Sequence, residues 1–160
     1  MSPESALLHL RVQLRCEAYA ACLDEERFAE WPDFFVPGDS DYRIVSRENE
    51  DAGLPAPLMG AYNHGMIRDR VAMLVKRTLT YRRTYQRRFV TNLRVERDGA
   101  TIRARSNLLV LQSDLEGTPS IYMVGRCHDE WVEHGDALLL GRRKVIIDSF
   151  CVDNLIAIPL

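Results

Sequence analysis

Four cysteines, four histidines and a run of arginines set among tyrosines are the residues of this 160-residue chain whose types could do chemistry. Cys16, Cys22, Cys127 and Cys151 form no C-x-x-C pair, and the six-residue step from Cys16 to Cys22 matches no metal-binding spacing. An iron–sulfur cluster held by Cys-x-His and Cys-x-x-His pairs has no ligands here, because Cys127 and His128 are adjacent. A mononuclear iron site needs two histidines and a carboxylate to converge. His128 and His134 share strand parity but lie about 20 Å apart along an extended chain. The thiols therefore read as buried packing residues of a reducing compartment, and neither metal ligands nor cofactor-binding residues are expected.

Phosphate-cradling glycine loops are absent, as is a G-x-S-x-G nucleophile turn. Acid–base chemistry would have to use Tyr42, His64, Asp69 and Tyr85 in a pocket between helices and sheet. Against it, His64 and Asp69 are five apart on one helix and point in different directions, and His64 within Asn63-His64-Gly65 reads as a helix-start residue. Arg82, Arg83, Arg87 and Arg88, interleaved with Tyr81 and Tyr85, form the pattern that binds single-stranded nucleic acid. An isoelectric point near 6.1 and an acidic remainder oppose it, so no nucleic-acid partner is expected.

The charge is unevenly distributed. The net formal charge is −2, yet residues 1–67 carry −7, residues 68–105 carry +9 and residues 106–160 carry −4. Nineteen of the 21 basic residues are arginine, whose planar fork suits carboxylate pairing at interfaces. With 46% hydrophobic and 28% charged residues, the composition is that of one globular domain, here residues 1–160. No apolar run is long enough to span a bilayer, and Met1-Ser2-Pro3-Glu4-Ser5 lacks the basic start of an export signal, so a cytoplasmic location is expected.

The elements that must position these residues follow from periodicity. Leu7, Leu10, Leu14, Ala18 and Ala21, widened by Leu8, Val12, Tyr19 and Leu23, predict a helix from about Glu4 to Leu23 with its stripe on the core. Asp24-Glu25-Glu26 opens a short helix to about Glu30, and Trp31-Pro32-Asp33-Phe34-Phe35 forms an aromatic plug. Asp41–Ser46 is a strand, Arg47–Pro57 a loop, and Asn63–Leu79 a second long helix. Four long strands follow, with Phe89, Thr91, Leu93 and Val95 facing inward on the first. On the second, Ile102, Ala104, Ser106, Leu108 and Val110 face inward, and on the third Ile121, Met123, Cys127 and Trp131. Asp98-Gly99 and His134-Gly135-Asp136 supply turns. Helices first and an antiparallel meander after them imply an α+β fold.

Several phrases carry a family likeness. They are Ala21-Cys22-Leu23-Asp24-Glu25, Trp31-Pro32-Asp33-Phe34-Phe35, Asp41-Tyr42-Arg43-Ile44, Arg47-Glu48-Asn49 and Met66-Ile67-Arg68-Asp69-Arg70-Val71. With them stand Arg87-Arg88-Phe89-Val90-Thr91-Asn92-Leu93-Arg94-Val95 and Asn154-Leu155-Ile156-Ala157-Ile158-Pro159-Leu160. In this order the chain resembles, over nearly its whole length, the small (beta) subunit of bacterial aromatic-ring-hydroxylating oxygenases. The loop Ser46–Pro57 is most similar to that of salicylate 5-hydroxylase small subunits.

The resemblance implies the cone-shaped NTF2-like, scytalone-dehydratase-like fold, with N-terminal helices packed on a curved antiparallel sheet. It implies a non-catalytic chain that forms a homotrimer and supports large alpha subunits in an alpha3beta3 hexamer. In that family the Rieske [2Fe-2S] cluster and the mononuclear iron belong to the alpha subunit, and electrons arrive through a reductase and ferredoxin. Arg82, Arg83, Arg87, Arg88 and Arg94 would then be interface residues, and the tail Leu155–Leu160 would pack at an interface or over the sheet. The alternative is a stand-alone dehydratase or isomerase using His64, Asp69 and Tyr42.

Overall fold

The computed structural model describes residues 2–76, 83–148 and 156–160. Helix α1 spans Pro3–Asp24, started by the Ser2 hydroxyl accepting from the Ser5 N–H and by Pro3 at the first helical position. A 3-10 helix, Phe28–Phe34, follows, then strand β1 (Asp41–Ser46), helix α2 (Arg47–Asp51), strand β2 (Met59–Ala61) and helix α3 (His64–Val75). Strands β3 (Tyr85–Asp98), β4 (Thr101–Ser113), β5 (Pro119–His134) and β6 (Ala137–Ile147) form the antiparallel meander. The sheet order is β2-β1-β6-β5-β4-β3, with β1 parallel to β6. The fold is α+β, with α1, the 3-10 helix and α3 packed on the inner face of a largely antiparallel sheet.

That inner face holds one core. Ile102, Ala104, Leu108 and Val110 of β4 meet Met123, Cys127 and Trp131 of β5 and Leu140, Val145 and Ile147 of β6. The aromatic plug forms as expected, with edge-on contacts of Trp31 with Phe35 at 5.3 Å and with Tyr42 at 5.2 Å. Ile156 and Leu160 close the same core.

Several expectations are corrected. On α1 the core face is Val12, Cys16, Tyr19 and Leu23, whereas Leu7, Leu10 and Leu14 point outward at 60%, 49% and 55% exposure. Both stripes have helical period, so period alone could not choose between them. The short helix at Asp24–Glu30 is instead a turn, with Glu26 at φ 56, leading into the 3-10 helix. The Arg47–Pro57 loop contains α2, capped by the Ser46 hydroxyl, and β2 had no periodic signal in three residues. Helix α3 ends at Val75, and residues 77–79 of its expected span lie outside the described residues.

On β3 the inward face switches partway. Asn92 sits at φ 55 where the β3–β4 register slips between Thr91 and Arg94. Asparagine tolerates this left-handed backbone better than most residues. Before the bulge Gln86, Arg88 and Val90 turn inward, and after it Leu93 and Val95 do. Phe89, expected inside, is therefore outside. A second slip, where Val110 pairs Met123 but Leu111 pairs Ile121, turns Ile121 outward as well.

Candidate functional site

Two regions concentrate charge: the interior of the cone and the outer face of the sheet. Inside, Arg143 donates from Nε to Asp129 Oδ1 at 2.8 Å and from Nη2 to Oδ2 at 2.7 Å, with both side chains buried. The guanidinium carbon lies 3.9 Å from the centroid of the Tyr19 ring. Burial and the neighbouring Asp129 dominate the setting, and the carboxylate holds Arg143 firmly charged.

The final residues occupy the rest of this interior. The Tyr19 hydroxyl donates to Leu160 O at 3.2 Å, and the Tyr42 hydroxyl accepts from Leu160 N at 2.8 Å. Arg88 donates from Nη2 to Pro159 O at 2.6 Å and from Nη1 to Asp24 Oδ1 at 2.6 Å, while its backbone N–H reaches Asp24 Oδ2 at 2.9 Å. Its side chain has no solvent exposure.

The structure does not assemble His64, Asp69 and Tyr42 into one site. Tyr42 is fully buried with its hydroxyl held by Leu160, and burial pushes its pKa well up. His64 Nε2 lies 3.1 Å from Pro32 O at the start of α3, which Asn63 caps by accepting from Met66 N. Asp69 is exposed on α3.

Of the expected interface arginines, Arg88 is an internal anchor, contrary to expectation, because the bulge at Asn92 turns its stretch of β3 inward. Arg83 pairs Glu26 at 3.4 Å and stacks on Tyr85, Arg87 donates to Asp24 O at 3.3 Å, and Arg94 is exposed with no ion pair among the described residues. Arg82, with Tyr81, lies outside the described residues, as does Cys151.

Asp129 and Arg143 were not singled out from sequence, although a signal existed. Asp129 lies between the inward Cys127 and Trp131, and Arg143 precedes the inward Val145 and Ile147 by the same two-residue step.

On the outer face, the strand registers align Arg94, Arg105, His128, Lys144 and Arg43 in one row across five strands. A depression of about 350 Å³ opens along this row. Lys144 is paired with Glu50 and Arg43 with Asp41, whereas Arg94, Arg105 and Arg126 have no carboxylate partner among the described residues. Burial, then Arg105, Lys144 and Arg126, lower the pKa of His128, leaving it neutral at neutral pH. Farther along the same face, Phe89, Leu109 and Val124 form an apolar row, with Leu111 and Ile121 beside it. Among the described residues no three His, Cys, Asp or Glu side chains gather as a metal would require.

Residues 18–154 match the family described as Ring hydroxylating beta subunit. The chain belongs to this family. As a ring-hydroxylating beta subunit it is 35% identical to the anthranilate 1,2-dioxygenase small subunit of Burkholderia cepacia over 144 residues, covering 89% of this chain and 88% of the other. It superposes with a TM-score of 0.87 on the crystal structure described as the beta subunit of an aromatic-ring-hydroxylating dioxygenase from Novosphingobium aromaticivorans. That match has 29% identity and covers 97% of this chain and 98% of the other. A scytalone dehydratase-like chain from the same organism, at 16% identity and a TM-score of 0.72 over 96% and 95%, shares the fold alone. The fold is thus the scytalone-dehydratase-like cone.

Proposed function

We propose that this chain is the non-catalytic small subunit of a Rieske-type aromatic-ring-hydroxylating oxygenase, a homotrimer that supports large alpha subunits in an alpha3beta3 complex. In this reading the [2Fe-2S] cluster and mononuclear iron reside in the alpha subunit, fed by a reductase and ferredoxin, and the complex converts salicylate to gentisate in the cytoplasm. The observation that carries the subunit role is the division between interior and exterior. Ile156–Leu160 pack inside the cone and hydrogen-bond Tyr19, Tyr42 and Arg88, while apolar side chains and arginines without an ion pair among the described residues face outward. Arg83, Arg87 and Arg94 lie on or beside that outward surface, and in this reading they and Arg82 serve as interface residues. Among the described residues no helix is long and apolar enough to cross a membrane.

Expression of the chain with and without its large subunit tests the proposal. The chain should co-purify with a larger protein showing a Rieske absorption spectrum, and alone should carry no stoichiometric iron and oxidise nothing. Iron bound by the isolated chain, or turnover by it, would reject the reading. The substrate is tested on the reconstituted complex with its electron donors, where gentisate should accumulate from salicylate. Accumulation from anthranilate instead would replace the salicylate assignment and leave the subunit role standing.

A further inference from the structure

The middle of the outer sheet face sets like charges side by side. Strand register places Arg105 of β4 and Lys144 of β6 directly opposite His128 of β5, one on each side. Side chains paired in this way have Cβ atoms about 5 Å apart, and like charges so placed are destabilising. Arg126 stands two residues from His128 on the same face of β5. Against these four basic groups stands the carboxylate of Glu50 on α2, 2.6 Å from Lys144 Nζ. Arg105 and Arg126 have no carboxylate partner among the described residues. With His128 neutral, the cluster thus carries an excess of two positive charges.

Arg105, His128 and Lys144 line one side of the depression of about 350 Å³, a size at the lower end of small-ligand pockets. The next row of side chains is balanced within the chain. Arg142 pairs Glu130 at 3.7 Å, and Arg103 pairs Asp98 at 2.8 Å. The uncompensated charge therefore sits on the His128 side. Among the described residues the lining has no aromatic or large aliphatic side chain, so an aromatic ring finds nothing there to stack on.

We propose that this depression binds a small dianionic oxyanion between the Arg105 guanidinium, the His128 imidazole and the Lys144 ammonium, with Arg126 beside it. Phosphate-type ions and small dicarboxylates share the chemistry required: two negative charges and oxygens that accept from an arginine fork. A proton enters with the ligand. Burial, then Arg105, Lys144 and Arg126, disfavour the imidazolium of His128, and Glu50 favours it. A bound anion adds to the favourable side, so His128 gains charge on binding. The site stands apart from the subunit role and does not depend on it.

Titration calorimetry of the full chain with sulfate, inorganic phosphate and succinate, against chloride at matched ionic strength, tests the site. Arg105→Gln should weaken sulfate binding about tenfold, the loss of a charge-assisted pair of hydrogen bonds. Arg103→Gln, whose guanidinium Asp98 already balances, should leave it unchanged. Sulfate remains a dianion across the range in which histidine titrates, so its affinity for the wild type should rise as pH falls. His128→Gln should flatten that rise. These side chains are exposed or half-buried, and removing Arg105 relieves a like-charge neighbour, so urea midpoints without added anion should not fall. Binding of sulfate and phosphate, of succinate, or of all three supports the site, and the pattern tells the phosphate class from the dicarboxylate. Sulfate acting no differently from chloride, or binding equally to Arg105→Gln, would overturn it.

Discussion

The Asp129–Arg143 pair shows why a charge can be retained inside a cone otherwise filled with hydrocarbon. Both oxygens of Asp129 take a guanidinium N–H, and Tyr19 covers the arginine face. Removing one partner leaves the other charged in a dry setting, so Asp129→Ala should cost about 3–5 kcal/mol of folding stability by urea denaturation. Replacing both, Asp129→Leu with Arg143→Met, should cost much less. An equal loss in the single and double variants would assign the effect to packing alone. The surrounding thiols add a dependence on pH. Burial pushes Cys16 and Cys127 up to about 12 from 9.0, and Tyr19 and Tyr42 shift the same way. The unfolded chain therefore loses these protons at lower pH than the native one. Stability is full below about pH 9 and falls as pH rises toward 12. The urea midpoint should drop steadily over that range, and a flat or rising midpoint would show that the thiols are not held in this environment.

At the scale of elements, periodicity identified α1, β1 and the four long strands but assigned some faces wrongly. The reasons are local. Leucines sit on the solvent side of α1 while the smaller Val12 and Cys16 sit inside, so hydrophobicity alone favoured the wrong stripe. On β3 a single asparagine reverses the parity of everything before it, which a two-residue repeat cannot register. That residue is testable: Asn92→Gly should be tolerated, whereas Asn92→Val, with its branched Cβ in the left-handed region, should cost about 1–2 kcal/mol. Equal stability of the two variants would mean that the strand re-registers without the bulge. Gly125 is a second fixed point of the sheet. A Cβ there would stand 2.3 Å from Ile146 O and 3.0 Å from Ile147 Cα. Both are backbone atoms, so β5 and β6 would have to part, and Gly125→Ala should lower stability by about 1–3 kcal/mol.

For the whole molecule, the fold class and the family likeness were legible because they rest on the order of elements. The closed interior was not, because it depends on contacts between residues far apart in the chain. Tyr42 has the side chain of a candidate acid, but its hydroxyl accepts from Leu160 N, 118 residues away. Ile156–Leu160 are thus part of the core. Loss of Ile156 and Leu160 from it should cost about 1.5–3 kcal/mol each. The hydroxyls of Tyr19 and Tyr42 and the Arg88 guanidinium would also lose partners inside, adding about 1–3 kcal/mol for each group left unsatisfied. A chain truncated after residue 155 should therefore unfold at a much lower urea concentration and, where still folded, bind a hydrophobic dye that the full chain excludes. The outer sheet face lies on the opposite side of the sheet from this segment, so any folded fraction should retain self-association. An unchanged urea midpoint together with lost assembly would move the segment from the core to the interface.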